Sequence, residues 1–132
     1  MMITEIWFKA RIVLAELARP GAQRENWFAW AAGQTAHVAI GAVLAGAMLF
    51  VMPPGWAFAV AALGYAGLKE VPDYLRAPGW AGARDSVQDA LFVTAGAALA
   101  VAISGAHERL FFVAVCAAFF GLSLGIHGRI RR

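Results

Sequence analysis

Three short stretches of this sequence carry side chains able to move protons or hold a cation. His37 lies in an uncharged apolar run, with Gln34 three residues before it. The stretch "KEVPD" supplies Lys69, Glu70 and Asp73, and "RDSVQDA" supplies Asp85, Ser86 and Asp89. One imidazole with two or three carboxylates suits acid/base hydrolysis or coordination of a divalent cation. His37, Glu70, Asp73 and Asp89 are therefore the candidate catalytic residues, and a divalent metal is the candidate cofactor. An ionisable group in a membrane span is costly to bury unpaired and points to function by default. The competing reading of His37 is a neutral imidazole hydrogen-bonded to a neighbouring helix. The sequence contains no HExxH, Gly-rich phosphate loop, serine-nucleophile elbow or cysteine pair.

Each acid also has an ordinary explanation. Glu70 and Asp73, three apart, share a face if the helix is continuous, but Pro72 stands between them. Charges of this kind also mark places where helices leave a membrane. Ser86 followed by Asp89 fits a capping box at the start of a helix, with Asp85 as an alternative N-cap.

The elements that must position these groups are apolar helices. Of 132 residues, 61% are hydrophobic and 14% charged, against about 25% charged in soluble domains. No charge falls between Glu25 and Lys69, and that gap is broken by Pro53, Pro54 and Gly55. A crossing takes about 20 apolar residues, so the gap predicts two spans joined by a tight turn. Uncharged runs from Ala90 to Ala106 and from Leu110 to Gly128 predict two more. The expected fold is all-α, one integral membrane domain of about four transmembrane helices over 27–52, 55–70, 86–104 and 110–127. Residues 71–85 are expected to form a broken, partly helical loop, since they hold Pro72, Pro78, Gly79 and Gly82.

Charge placement orients the bundle. Ten of the 11 Lys and Arg residues precede span one, lie between spans two and three, or follow span four; Arg109 alone falls on the other side. The positive-inside rule then makes the two termini and the central loop cytoplasmic. The net charge of +3 thus reports topology and not nucleic-acid binding. Trp27, Trp30, Trp56 and Trp80 fall near span ends, where indole rings favour the interface. Ile3, Ile6, Trp7, Ala10, Val13, Leu14 and Leu17 recur at helical spacing, predicting an amphipathic helix over residues 1–20 that lies in the interface or packs on a partner. Two acids in that stretch argue against a cleavable signal peptide. Cys116 is single and expected in the core. Gly121 and Gly125 form a GxxxG pair, read as packing.

The order of these motifs resembles the VanZ-like and YfiM-type small membrane proteins. The matching elements are His37 with Gly41, then Lys69-Glu70-Val71-Pro72-Asp73, then Ser86-Val87-Gln88-Asp89 with Gly96. They span residues 33–97. The resemblance implies a helical membrane bundle linked to the cell envelope, with His37, Glu70, Asp73 and Asp89 as its polar signature. The family pattern has an Asp-Lys pair where this chain has Gly33-Gln34, and an asparagine where it has Val93. Both departures remove polar groups.

Two functions follow as expectations. One is a hydrolase-like enzyme acting on a lipid-linked or headgroup substrate at the cytoplasmic face of the inner membrane. The other is a non-catalytic scaffold, an accessory subunit or a holin-like protein, whose partners are the lipid bilayer and other helices or a second copy. The two differ in one measurable respect. The first brings His37 to within about 6 Å of Glu70 and Asp89, the range of strong interaction, whereas the second leaves it isolated.

Overall fold

The computed structural model describes residues 6–9, 11, 12, 15, 26–105 and 107–130. Within the expected N-terminal amphipathic helix, the described residues 6–9, 11, 12 and 15 are helical, and the rest of residues 1–20 lies outside the described set. The elements that follow are α1 (Trp27–Met48), α2 (Pro54–Tyr65), a π-helical segment (Ala66–Glu70), α3 (Val71–Arg76), α4 (Trp80–Ser104) and α5 (Glu108–Ile130). There is no strand among the described residues. The protein is an all-α bundle, and α1, α4 and α5 are each long and apolar enough to cross a membrane. The second expected span, 55–70, is covered by α2 and the π segment, which run on without a break into α3, but α2, at 12 residues, is not among the helices of membrane-crossing length.

Local chemistry sets the ends. Asn26 caps α1, its Oδ1 accepting from the backbone N–H of Phe28 at 2.8 Å and of Ala29 at 3.3 Å. Pro54 opens α2, where a missing N–H costs nothing. The segment 71–85, expected as a broken, partly helical loop, is broken only around residues 77–79 and is helical on both sides of that break. Gly79 makes that break at φ 116°, a conformation natural to glycine. The following helix then starts at Trp80 rather than Ser86. Asp85, Ser86 and Asp89 are consequently interior helical residues and do not cap α4.

Most of the buried residues are small, with Trp30 and Phe92 the large exceptions, while many large apolar side chains face outward. Ala45, Ala61 and Ala97 form the core where α1, α2 and α4 meet, while Ile40, Val43, Phe112, Phe119 and Phe120 are exposed. Lipid gives no hydrophobic drive between helices, so close backbone approach and dispersion must hold them. Gly41 and Gly96 show the consequence. A Cβ on Gly41 would stand 1.9 Å from the Val93 carbonyl oxygen, and one on Gly96 would stand 1.9 Å from that of Val38. Backbone therefore touches backbone in both directions at the α1–α4 crossing.

Two expectations about single residues are corrected. Trp30 is buried at 3% exposure, edge-on to Phe92 at 6.1 Å between ring centroids. Its indole faces Gly125 of α5, and the Arg129 guanidinium covers the ring at 4.1 Å. It is a packing residue, whereas Trp27, Trp56 and Trp80 are exposed. Cys116 is exposed and not in the core, because α5 presents most of its surface outward.

Candidate functional site: a buried histidine–carboxylate cluster

The Gly41–Gly96 crossing determines what lies one turn away. His37 precedes Gly41 by four residues, and Asp89 precedes Val93 by four, so both side chains fall on the contact faces of α1 and α4. His37 Nε2 stands 3.6 Å from Asp89 Oδ2. Gln34, one turn earlier on α1, donates from Nε2 to Asp89 Oδ1 at 2.8 Å. Asp89 is thus held from both sides by α1. His37 lies ten residues after Trp27 and Asp89 nine after Trp80. At about 1.5 Å per residue, each sits about 14–15 Å along its helix.

Glu70 enters from the third direction. Pro72 lacks the N–H that would continue an α-helical ladder, and the turn before it widens into the π segment, with Val71 N–H bonded to the Ala66 carbonyl. π segments of this kind recur at functional sites. Here it turns Glu70 inward, to 5% exposure. Ser86 of α4 pins the segment by donating its hydroxyl to the Glu70 backbone carbonyl at 3.3 Å. Ser86 and Asp89 are one turn apart on α4, so one face of that helix anchors the segment and supplies the second carboxylate.

One ligand atom from each of His37, Glu70 and Asp89 lies within 4.8 Å of the other two. Tyr65 completes the wall. Its ring packs edge-on against His37, 5.9 Å between centroids at 78°, and its hydroxyl faces the Glu70 carboxylate. Several polar atoms here are buried without a hydrogen-bond partner: Gln34 Oε1, His37 Nδ1 and Glu70 Oε1. Buried polar atoms are nearly always satisfied in native proteins, so three at one spot call for an occupant or a reaction. The cluster has imidazole, carboxylate and amide groups, and it suits proton transfer or cation binding.

Asp73 is not brought to the cluster. It bonds to Lys69 (i,i+4) and to Arg76 Nη1 at 2.9 Å on the exposed side of the helix. The hydrogen bond from Lys69 holds its carboxyl below the usual carboxylate range. Of the four expected residues, three converge and the fourth belongs to a surface ion-pair network. Gln34, one turn before His37, reads from the sequence as either a support or a second site group, and its bond to Asp89 makes it a support. Tyr65 was not readable, because it precedes Glu70 by five residues, a spacing that shares a face only once a π turn intervenes. A groove of about 540 Å³ between α4 and α5, lined by Gln88, Phe92 and Gly121, includes none of the cluster residues.

These features define a class: an all-helical bundle with membrane-length helices and a buried histidine–carboxylate cluster between them. No protein-family model, curated protein or solved structure matches the chain, so the reading of its function rests on the cluster itself.

Proposed function

We propose that this is a small inner-membrane protein, with both termini cytoplasmic, that hydrolyses a lipid-linked or headgroup substrate near the cytoplasmic face. The observation that carries this reading is Glu70, a carboxylate at 5% exposure with an unpartnered oxygen beside an imidazole. A carboxyl buried in the protein with an oxygen left unpartnered is costly to keep, and that cost points to a use for it. The proximity of His37 to both carboxylates favours the enzyme over the scaffold or holin-like alternative, which leaves the histidine isolated. Placement of ten of 11 basic residues on one side supports the orientation, and the resemblance to VanZ-like proteins supports an envelope setting.

The roles follow from the contacts. His37 takes a proton from an attacking water, Asp89 at 3.6 Å stabilises the imidazolium that forms, and Glu70, in its protonated form, delivers a proton to the leaving group. The test uses the full chain reconstituted in phosphatidylethanolamine–phosphatidylglycerol vesicles carrying a polyprenyl diphosphate. Released phosphate and headgroup are followed by phosphorus NMR. Release by the wild type that falls about 100-fold or more in His37→Ala and Glu70→Gln supports the reading. No release by the wild type, or full release by both variants, overturns it.

A further inference from the structure

We infer that His37, Glu70 and Asp89 bind one divalent transition-metal ion, with Gln34 positioning Asp89 for it. This rests on the geometry of the cluster and not on hydrolysis, and an ion held by His37 and Glu70 would take the place of the proton-transfer roles given to them above.

Four observations converge. The first is distance. Two ligands about 2.1 Å from a tetrahedral ion stand about 3.4 Å apart. His37 Nε2 and Asp89 Oδ2 are 3.6 Å apart, too long for a hydrogen bond and close to that ligand separation. The whole triad lies within 4.8 Å, so Glu70 has to move in by about an ångström. Its position at the end of a π segment, with a flexible side chain, allows such a shift. The second is unmet bonding. Glu70 is nine-tenths buried and Oε1 has no partner, and Gln34, at 1% exposure, leaves Oε1 equally unpartnered. Glu70 Oε1 stays unpaired although the Tyr65 hydroxyl faces its carboxylate, and a cation satisfies such an oxygen where an added hydrogen-bond acceptor does not.

The third observation is charge. Glu70 and Asp89 can bring two negative charges into a buried site. The nearest basic side chain in sequence, Lys69, is committed to Asp73 on the outside. A divalent ion compensates both carboxylates at once, in a buried site where uncompensated charge is expensive. The fourth is support. Carboxylate ligands are usually held by a further hydrogen bond that fixes their orientation, and the Gln34 amide supplies it to Asp89 at 2.8 Å. The donor set, one nitrogen and two carboxylates, suits Mn²⁺, Fe²⁺ or Zn²⁺ better than a thiolate-preferring ion. No short sequence motif announces the site, because its ligands come from α1, the π segment and α4.

The experiment uses the full chain in detergent, stripped with a chelator and then titrated with Mn²⁺ and, separately, Zn²⁺. The expected result is one ion per chain, a rise in Tm on binding, and imidazole-nitrogen coupling in the pulsed EPR spectrum of the Mn²⁺ form. His37→Ala, Glu70→Gln and Asp89→Asn each abolish stoichiometric uptake, whereas Asp73→Asn leaves it intact. Gln34→Leu weakens Mn²⁺ binding about 10- to 100-fold, with the nitrogen coupling retained at saturation. Absence of stoichiometric uptake by the wild type overturns the inference, as does uptake lost in Asp73→Asn but kept in Glu70→Gln. Because the EPR signature is read on the wild type, misfolding of a variant does not blunt the test. Metal bound without phosphate release sinks the hydrolytic reading alone. Phosphate release by a protein that takes up no metal sinks this one alone.

Discussion

Glu70 and Asp73 stand three residues apart in one short stretch, yet they live in different chemical worlds. Glu70 is buried against α1 and α4 with an oxygen unpartnered. Asp73 is half-exposed between two basic side chains. The outward face of this stretch is a local ion-pair ladder, written at i,i+4 and i,i+3 spacing and independent of the rest of the fold. The inward face exists only because α1 and α4 cross closely enough to receive it. The contrast teaches that charge at a helix exit has two components, and that the buried one carries the functional question. Loss of the crossing should therefore be severe, and loss of the outer ladder slight.

The largest effect is expected at the crossing itself. Gly41→Leu or Gly96→Leu drives a side chain into backbone that has no rotamer by which to yield. Each should cost about 3 kcal/mol or more, seen as loss of the thermal transition in detergent. A variant that melts like the wild type would mean the helices do not meet here. Next comes Gln34→Leu, which strands Asp89 Oδ1 without its donor and should destabilise the protein by about 1–3 kcal/mol. Retention of full stability would separate Gln34 from the site.

Glu70→Gln sharpens the comparison because it predicts the opposite sign. In metal-free protein it removes a buried carboxylate and supplies an amide able to donate, so the variant should be as stable as the wild type or about 1 kcal/mol more stable. A clear loss of stability would show that Glu70 is structural. The smallest effect belongs to the outer face. Asp73→Asn should cost less than about 1 kcal/mol, as exposed pairs do. Its lowered carboxyl gives the pH sign: the stabilisation is present above the ordinary value of 3.8 and is lost as pH falls through the lowered folded value. The difference in Tm between wild type and Asp73→Asn should accordingly vanish in strong acid. A difference that persists there would put its origin outside the ion pairs.

Much of this was legible in the residues. Long uncharged runs and their proline and glycine punctuation mark α1, α4 and α5, since a bilayer demands about 20 apolar residues per helix. His37, Glu70 and Asp89 stand out because ionisable groups are rare in such surroundings. Helix boundaries were less legible. The proline and glycine content of residues 71–85 reads as loop, yet Pro72 sits in the first turn of α3, where proline is tolerated. The small interior residues, Ala45, Ala61 and Ala97, were equally hard to assign, because alanine is at home on any helix face.

The sequence by itself determined that this chain is a helical membrane protein and which four polar groups required explanation, for both follow from composition and local spacing. Only the tertiary structure decided how those four divide. The reciprocal contact of Gly41 and Gly96 brings His37 and Gln34 to Asp89, and the π turn before Pro72 rotates Glu70 inward while Asp73 stays with Lys69 and Arg76. These are relations between helices distant in sequence, set by backbone contact that no periodicity along one helix encodes.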